Sequence, residues 1–239
     1  MSNQHFPSFS ELDRDGAVQE AASKVDGLTR QAFLRRTGAF VGGGAAFAAL
    51  PASALAQGSA SGDVAILNFA LTLEYLESAF YQEAVSKGAL NGETKKFAAV
   101  VADHEAQHVT ALQKALGGKA VKKPKFDFKG TTASQSTFQA TAMTLEDTGV
   151  KAYLGQAGNI KAKTVLAAAA SILPIEARHA SWIRDIIGKG SSPSPAPNAF
   201  QPSLTMAEVL SAVASTGFIP GMSSASAGSA ASGSPSMTG

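Results

Sequence analysis

Ile172 to Asp185 reads ILPIEARHASWIRD, and it places Glu176 and His179 three residues apart inside an apolar helical pattern. Three residues on a helix turn through about 300°, so both side chains leave one face. Ala169, Ile172, Leu173, Ala180 and Ile183 share that face, the side such a helix buries. A carboxylate and an imidazole in a buried stripe need partners, because an unpaired buried charge costs several kcal/mol, roughly, even after relaxation. The same conflict recurs three times on the N-terminal side of this stretch.

Working outward, a helix from about Lys161 to Ile187 holds the quoted stretch, stops at Gly188, and carries Pro174, which removes one backbone bond just before Glu176. Before it, a helix from near Ser134 to about Gln156 aligns Met143, Glu146, Val150 and Tyr153. Asp147 is turned about 100° away, toward solvent or a flanking helix. Further upstream, a helix from about Glu93 to Leu116 sets Glu105 and His108 among Phe97, Ala98, Val101, Val109 and Leu112: a second Glu-x-x-His. The first helix, Asp63 to about Lys87, repeats leucines and alanines at three and four, with Glu74 in line with Leu67, Leu71 and Tyr81. Glu77, one turn on, is placed to share that space, and Glu83 is rotated toward solvent.

The connection at Asn91-Gly92 is short, so the first two helices pack antiparallel, as do the last two. Residues 117 to 133 show no helical period, contain Pro124 and five lysines, and are long enough to run the length of a bundle. The expected fold is therefore all-α: an antiparallel four-helix bundle over 63–188 with one long crossover between helices 2 and 3. The lysines read as a solvated loop rather than an anion site.

The chain has 239 residues, no cysteine and a formal charge of +2. That length gives one domain a full core, and the charge singles out no nucleic-acid partner. Without thiolates, a metal here must be held by nitrogen and oxygen. Residues 1–56 read as an export signal: a polar leader, Arg30-Gln31-Ala32-Phe33-Leu34-Arg35-Arg36, a weakly apolar Gly/Ala-rich run and Ala54-Leu55-Ala56 as a cleavage site. The signal resembles the twin-arginine type, departing from it at Gln31. Residues 57–62 form a linker, 189–220 a Pro/Ser-rich segment with a short docking helix near 204–214, and 221–239 a low-complexity Ser/Gly/Ala tail. The expected location is outside the cytoplasm: periplasm, envelope or medium.

Glu74, Glu105, His108, Glu146, Glu176 and His179 thus converge from four helices, one lone Glu and one Glu-x-x-His per hairpin. Di-iron and di-manganese carboxylate bundles use that donor set. In Leu73-Glu74 with Tyr81, HEAQH at 104–108, LED with Tyr153 at 145–153 and EARHASW at 176–182, the chain resembles the ferritin-like superfamily, most of all its exported, desiccation-related members. The resemblance implies two iron ions, or manganese, held by these six residues, with dioxygen or peroxide as the oxidant. Four glutamates balance two divalent ions in charge. His104 is a weaker alternative to His108 as a ligand. Tyr81 and Tyr153 are either hydrogen-bond donors or electron relays beside the ligands, or core residues whose hydroxyls reach the rim, and Trp182 is packing. Three functions are compatible with this pattern: a ferroxidase-like oxidase, a manganese catalase-like enzyme, or a non-enzymatic stress-protection protein with a structural metal or none. An oligomer is compatible with each.

Overall fold

A computed structural model describes residues 61–188 and 194–222. The expected signal at 1–56, most of the linker and the tail from 223 onward lie outside the described residues. The described chain is helical: α1 Ser61–Lys87, α2 Gly92–Leu116, α3 Gln135–Ala157, α4 Lys163–Gly188 and a short α5 Met206–Thr216, with a 3-10 turn at Gly117–Lys119.

Local chemistry sets these boundaries. Gly88 ends α1 at φ 67° and Gly117 ends α2 at φ 54°, a left-handed region that glycine enters without steric cost. Ser134 caps α3 by accepting from the Thr137 backbone N–H. Thr205 and Glu208 form a reciprocal capping box on α5. Pro174 lies within α4, and the helix continues through it as one element.

Hydrogen bonds between the helix ends fix the topology. Asn68 near the start of α1 donates to the Lys119 carbonyl just past α2, and Thr132 before α3 bonds Glu83 near the end of α1. Gln139 donates to Thr94, so α2 and α3 begin at the same end. Asp63 of α1 is fully buried and accepts from the backbone N–H groups of Lys161 (2.9 Å) and Ala162 (2.8 Å), leading into α4. The bundle is thus two antiparallel hairpins, α1/α2 and α3/α4, joined by a crossover that returns along its full length. That is the architecture expected from the sequence, with helix ends within about two residues of their expected places.

Two apolar clusters fill the interior. Phe80, Tyr81, Phe97 and Phe138 pack at the end where α2 and α3 begin, with Phe80 stacked on Phe138 at 5.2 Å and edge-on to Phe128 of the crossover. Ile66, Leu67, Leu71, Leu112, Val165 and Ile172 pack toward the opposite end. The docking helix α5 is present two residues later than expected, and its Val209 and Val213 join the aromatic cluster. The segment leading to it crosses α3 so closely that a Cβ on Gly155 would lie 1.9 Å from the Leu204 carbonyl oxygen. Only glycine fits there.

Candidate metal centre

Between the two apolar clusters the bundle turns polar. Glu74, Glu105, Glu146 and Glu176 are each 0% exposed and His179 is 2% exposed. Each helix delivers its donor where the heptad-like stripe faces inward, so the leucine pattern that builds the core also aims the carboxylates at its centre. Ligand atoms of Glu74, Glu105, His108 and Glu176 lie within 4.8 Å of one another, and so do those of Glu105, Glu146, Glu176 and His179. Six residues therefore make two overlapping four-donor groups that share Glu105 and Glu176. The two Glu-x-x-His glutamates stand in the middle, and one lone glutamate and one histidine flank each side.

Nδ1 of His108 lies 3.2 Å from Glu74, 3.3 Å from Glu105 and 3.1 Å from Glu176. Nδ1 of His179 lies 3.2 Å from both Glu105 and Glu146. One ring nitrogen near two or three carboxylates cannot satisfy them all. Glu105 Oε1, Glu146 Oε2, both oxygens of Glu176 and His179 Nδ1 are buried with no hydrogen-bond partner. Among the described residues no lysine or arginine pairs with any of the four glutamates. Buried polar atoms are ordinarily satisfied, so five orphans converging on one volume fit a cation-binding site rather than a folding defect. The donor set is hard oxygen plus imidazole, suited to iron, manganese or zinc.

The electrostatics of the bare protein carry the same imbalance. Burial pushes Glu105 well above the ordinary carboxylate range, and Glu176 and Glu74 push it further. Burial and then Glu74 raise Glu176 to about 7. Glu74 goes the other way: burial opposes its ionisation, but His108 and the hydrogen bonds to Glu74 outweigh that and bring it down to about 2. His108 is correspondingly raised despite burial, by Glu74 and its other carboxylate neighbours, and His179 is raised despite burial chiefly by its contact with Glu146. In effect the histidinium rings stand in for cations.

The tyrosine hydroxyls point inward, not to the rim. Tyr81 donates to Glu146 Oε1, and Tyr153 donates to Glu74 Oε1 at 2.5 Å. Each tyrosine reaches across the bundle to the lone glutamate of the opposite hairpin, leaving that glutamate's second oxygen for the interior. Burial and the neighbouring carboxylate raise both phenols well above their usual range, so they act as donors. His104 is not in either donor group. Its Nδ1 lies 2.9 Å from Nε2 of His179, on the side of that ring facing away from the glutamates. Asp147 pairs with Arg184 of α4, and Trp182 packs edge-on against Phe97 at 5.3 Å.

Glu77 belongs to the site more firmly than its sequence position suggested. It is 3% exposed, and burial followed by Glu176, Glu146, Glu105 and Glu74 raises it well above its ordinary value. The matching residue of the other hairpin, three after Glu146, is Gly149, whose added Cβ would lie 3.3 Å from both Glu77 Oε1 and Glu176 Oε2. A side chain at 77 and none at 149 is thus one packed arrangement, and that complementarity was the signal in the sequence.

Four helices in two hairpins around a carboxylate and histidine centre define a class of metal-binding bundles. The sequence model of the Ferritin-like domain family matches residues 62–189, which is α1 through α4, and the chain belongs to that family. No match to a curated protein was found.

Proposed function

We propose that the protein holds two iron ions at the centre of the four helices α1 to α4 and uses them in a ferroxidase-like reaction, or a related two-electron reaction with dioxygen or peroxide. The observation that carries this reading is the pair of donor groups sharing Glu105 and Glu176, with five orphaned polar atoms at their common centre. Glu74 and His108 would serve one ion, Glu146 and His179 the other, and Glu105 and Glu176 both. Bound iron would supply the electrons given to the oxidant. A shared carboxylate can change its mode of binding when the ions change charge, which favours a redox metal over zinc.

The protein's own groups do the remaining work. Tyr81 and Tyr153 orient the two lone glutamates through one oxygen each. Glu77, raised well above its ordinary value by burial and its anionic neighbours in the metal-free chain, packs against Gly149 at the edge of the centre. The aromatic cluster on one side and the aliphatic cluster on the other exclude water, while the His108 side chain, 12% exposed, marks the face nearest solvent.

The location proposed with this function is outside the cytoplasm, reached through a twin-arginine-like signal at 1–56 and cleavage after Ala56, as in exported ferritin-like proteins of the desiccation-related type. No helix among the described residues is long and apolar enough to cross a membrane. Cell fractionation followed by N-terminal sequencing should find the mature chain outside the cytoplasm and starting at Gln57. A cytoplasmic full-length chain contradicts this part alone.

For the chemistry, the protein is loaded anaerobically with Fe(II) and then exposed to air. The expected result is an oxo-bridged ferric absorbance saturating at about two irons per chain, the stoichiometry of a two-metal centre. Oxygen evolution from peroxide by the manganese-loaded protein, without that ferric signal, would replace iron oxidation by a catalase-like reaction. Failure to bind either metal would leave a non-enzymatic protective protein.

A further inference from the structure

The two halves of the centre are related by their sequence motifs but not by what stands behind their histidines. In the first motif the residue before Glu105 is His104, and its ring reaches across to α4 edge to edge with that of His179, centroids 5.2 Å apart and planes 19° from parallel, with Nδ1 2.9 Å from His179 Nε2. In the second motif the residue before Glu176 is Ile175, which has no side-chain donor or acceptor. Among the described residues nothing bonds Nε2 of His108; its contacts are all through Nδ1. The side chain of His108 is 12% exposed and that of His179 3%.

We infer that His104 is a positioning residue for His179 alone, and that it makes the two metal positions unequal: a tight one at Glu146/His179 and a weaker, exchangeable one at Glu74/His108. This deepens the two-metal reading and rests on it. With Nδ1 of His179 holding an ion, as the two-metal reading has it, the hydrogen of its neutral ring is on Nε2, and Nδ1 of His104 is placed to accept it. That bond fixes the ring's tautomer and orientation and makes the inner nitrogen a better donor, as second partners of metal-bound histidines do. Among the described residues His108 has no such partner behind it, and its side chain is the more exposed of the two.

The test is a titration of the whole protein with Co(II), which reports by absorbance and by paramagnetically shifted proton NMR. The wild type should bind two ions per chain in two resolved steps. Its spectrum should show one slowly exchanging imidazole N–H, from His179, and one rapidly exchanging, from His108. His104→Ala should weaken the tighter step by roughly 10- to 100-fold, the usual effect of removing such a partner, and abolish the slow N–H. His104→Asn, whose Oδ1 occupies the place of the imidazole Nδ1, should restore both. Two equal steps with both N–H signals exchanging alike in the wild type would overturn the inference without help from any variant. So would an unchanged titration in His104→Ala. No Co(II) bound by the wild type would bring down the two-metal reading itself, and the inference with it.

Discussion

The aromatic end of the bundle and the polar layer beside it are built by the same four helices under opposite rules. At the aromatic end every contact is self-sufficient: Phe80, Phe97 and Phe138 are fully buried against one another, and nothing from outside is required. About two turns away, four carboxylates are equally buried, and five polar atoms have no partner. The first region stabilises the fold by burying apolar area, at about 25 cal/mol per Å². The second is carried by the first, at a cost that bound cations would offset under the proposed two-metal reading. The contrast shows which residues specify the fold and which specify its use.

Substitutions should separate the two most sharply. Phe138→Ala should cost about 3–5 kcal/mol in urea unfolding, from lost burial and the cavity left behind, while metal stoichiometry in the surviving folded protein is unchanged. Glu176→Ala should do the reverse: metal binding at both positions is lost, and the metal-free protein holds or gains stability because a crowded carboxylate is gone. A Glu176→Ala protein that still loads fully would remove that residue from the centre.

Acidity sharpens the contrast next. Glu176 has an ordinary value of 4.5 and about 7 in the folded, metal-free chain. Between these values the folded state holds a proton that the unfolded state has released, so this contribution is present below about 4.5 and fades as the pH rises to 7. It corresponds to about 3 kcal/mol. The raised His108 works in the same direction, its contribution being lost as the pH climbs above 6.5 toward its folded value. Glu74, lowered to about 2, contributes above 4.5 and is lost as pH falls toward 2. Thermal melts of metal-free protein should therefore be highest near pH 4.5–5 and decline toward neutrality. Divalent metal should cancel that decline, because its binding displaces the same protons. A flat profile in the metal-free protein would contradict this charge balance.

Tyr81 bridges the two regions, Tyr153 ties the polar layer to the aliphatic cluster on its other side, and their effect is smaller. Tyr153→Phe leaves its ring in place but strips Glu74 of its donor, which should cost roughly 1.5–3 kcal/mol in the metal-loaded protein, the range for bonds to charged groups. Ser134→Ala, far from the centre, should lower stability by about 1 kcal/mol through the lost cap and leave metal affinity untouched.

Much of this was legible in the sequence because helical periodicity carries it. Glu74, Glu105, Glu146 and Glu176 occupy positions where leucine or alanine belongs, and that conflict alone marks them. The crossover followed from a stretch too long and too irregular for a tight turn. What periodicity could not supply was distance across the bundle. It put Tyr81 and Tyr153 on inward stripes but left open whether their hydroxyls met a carboxylate or the rim, a matter of which opposing helix stands at that height. It likewise offered His104 as a rival ligand, since four residues from His108 it shares a similar bearing. Only the approach of α4 shows that its partner is another histidine. Glu77 depended on a vacancy, the missing side chain at Gly149, which a single helix does not reveal.

Anomalous diffraction from crystals of the protein soaked in Fe(II) or Mn(II) without oxygen addresses the centre most directly. Two peaks about 3.5–4 Å apart, both touching Glu105 and Glu176 and divided between His108 and His179, are the predicted result. No peak among the four glutamates in crystals that hold metal elsewhere would contradict it.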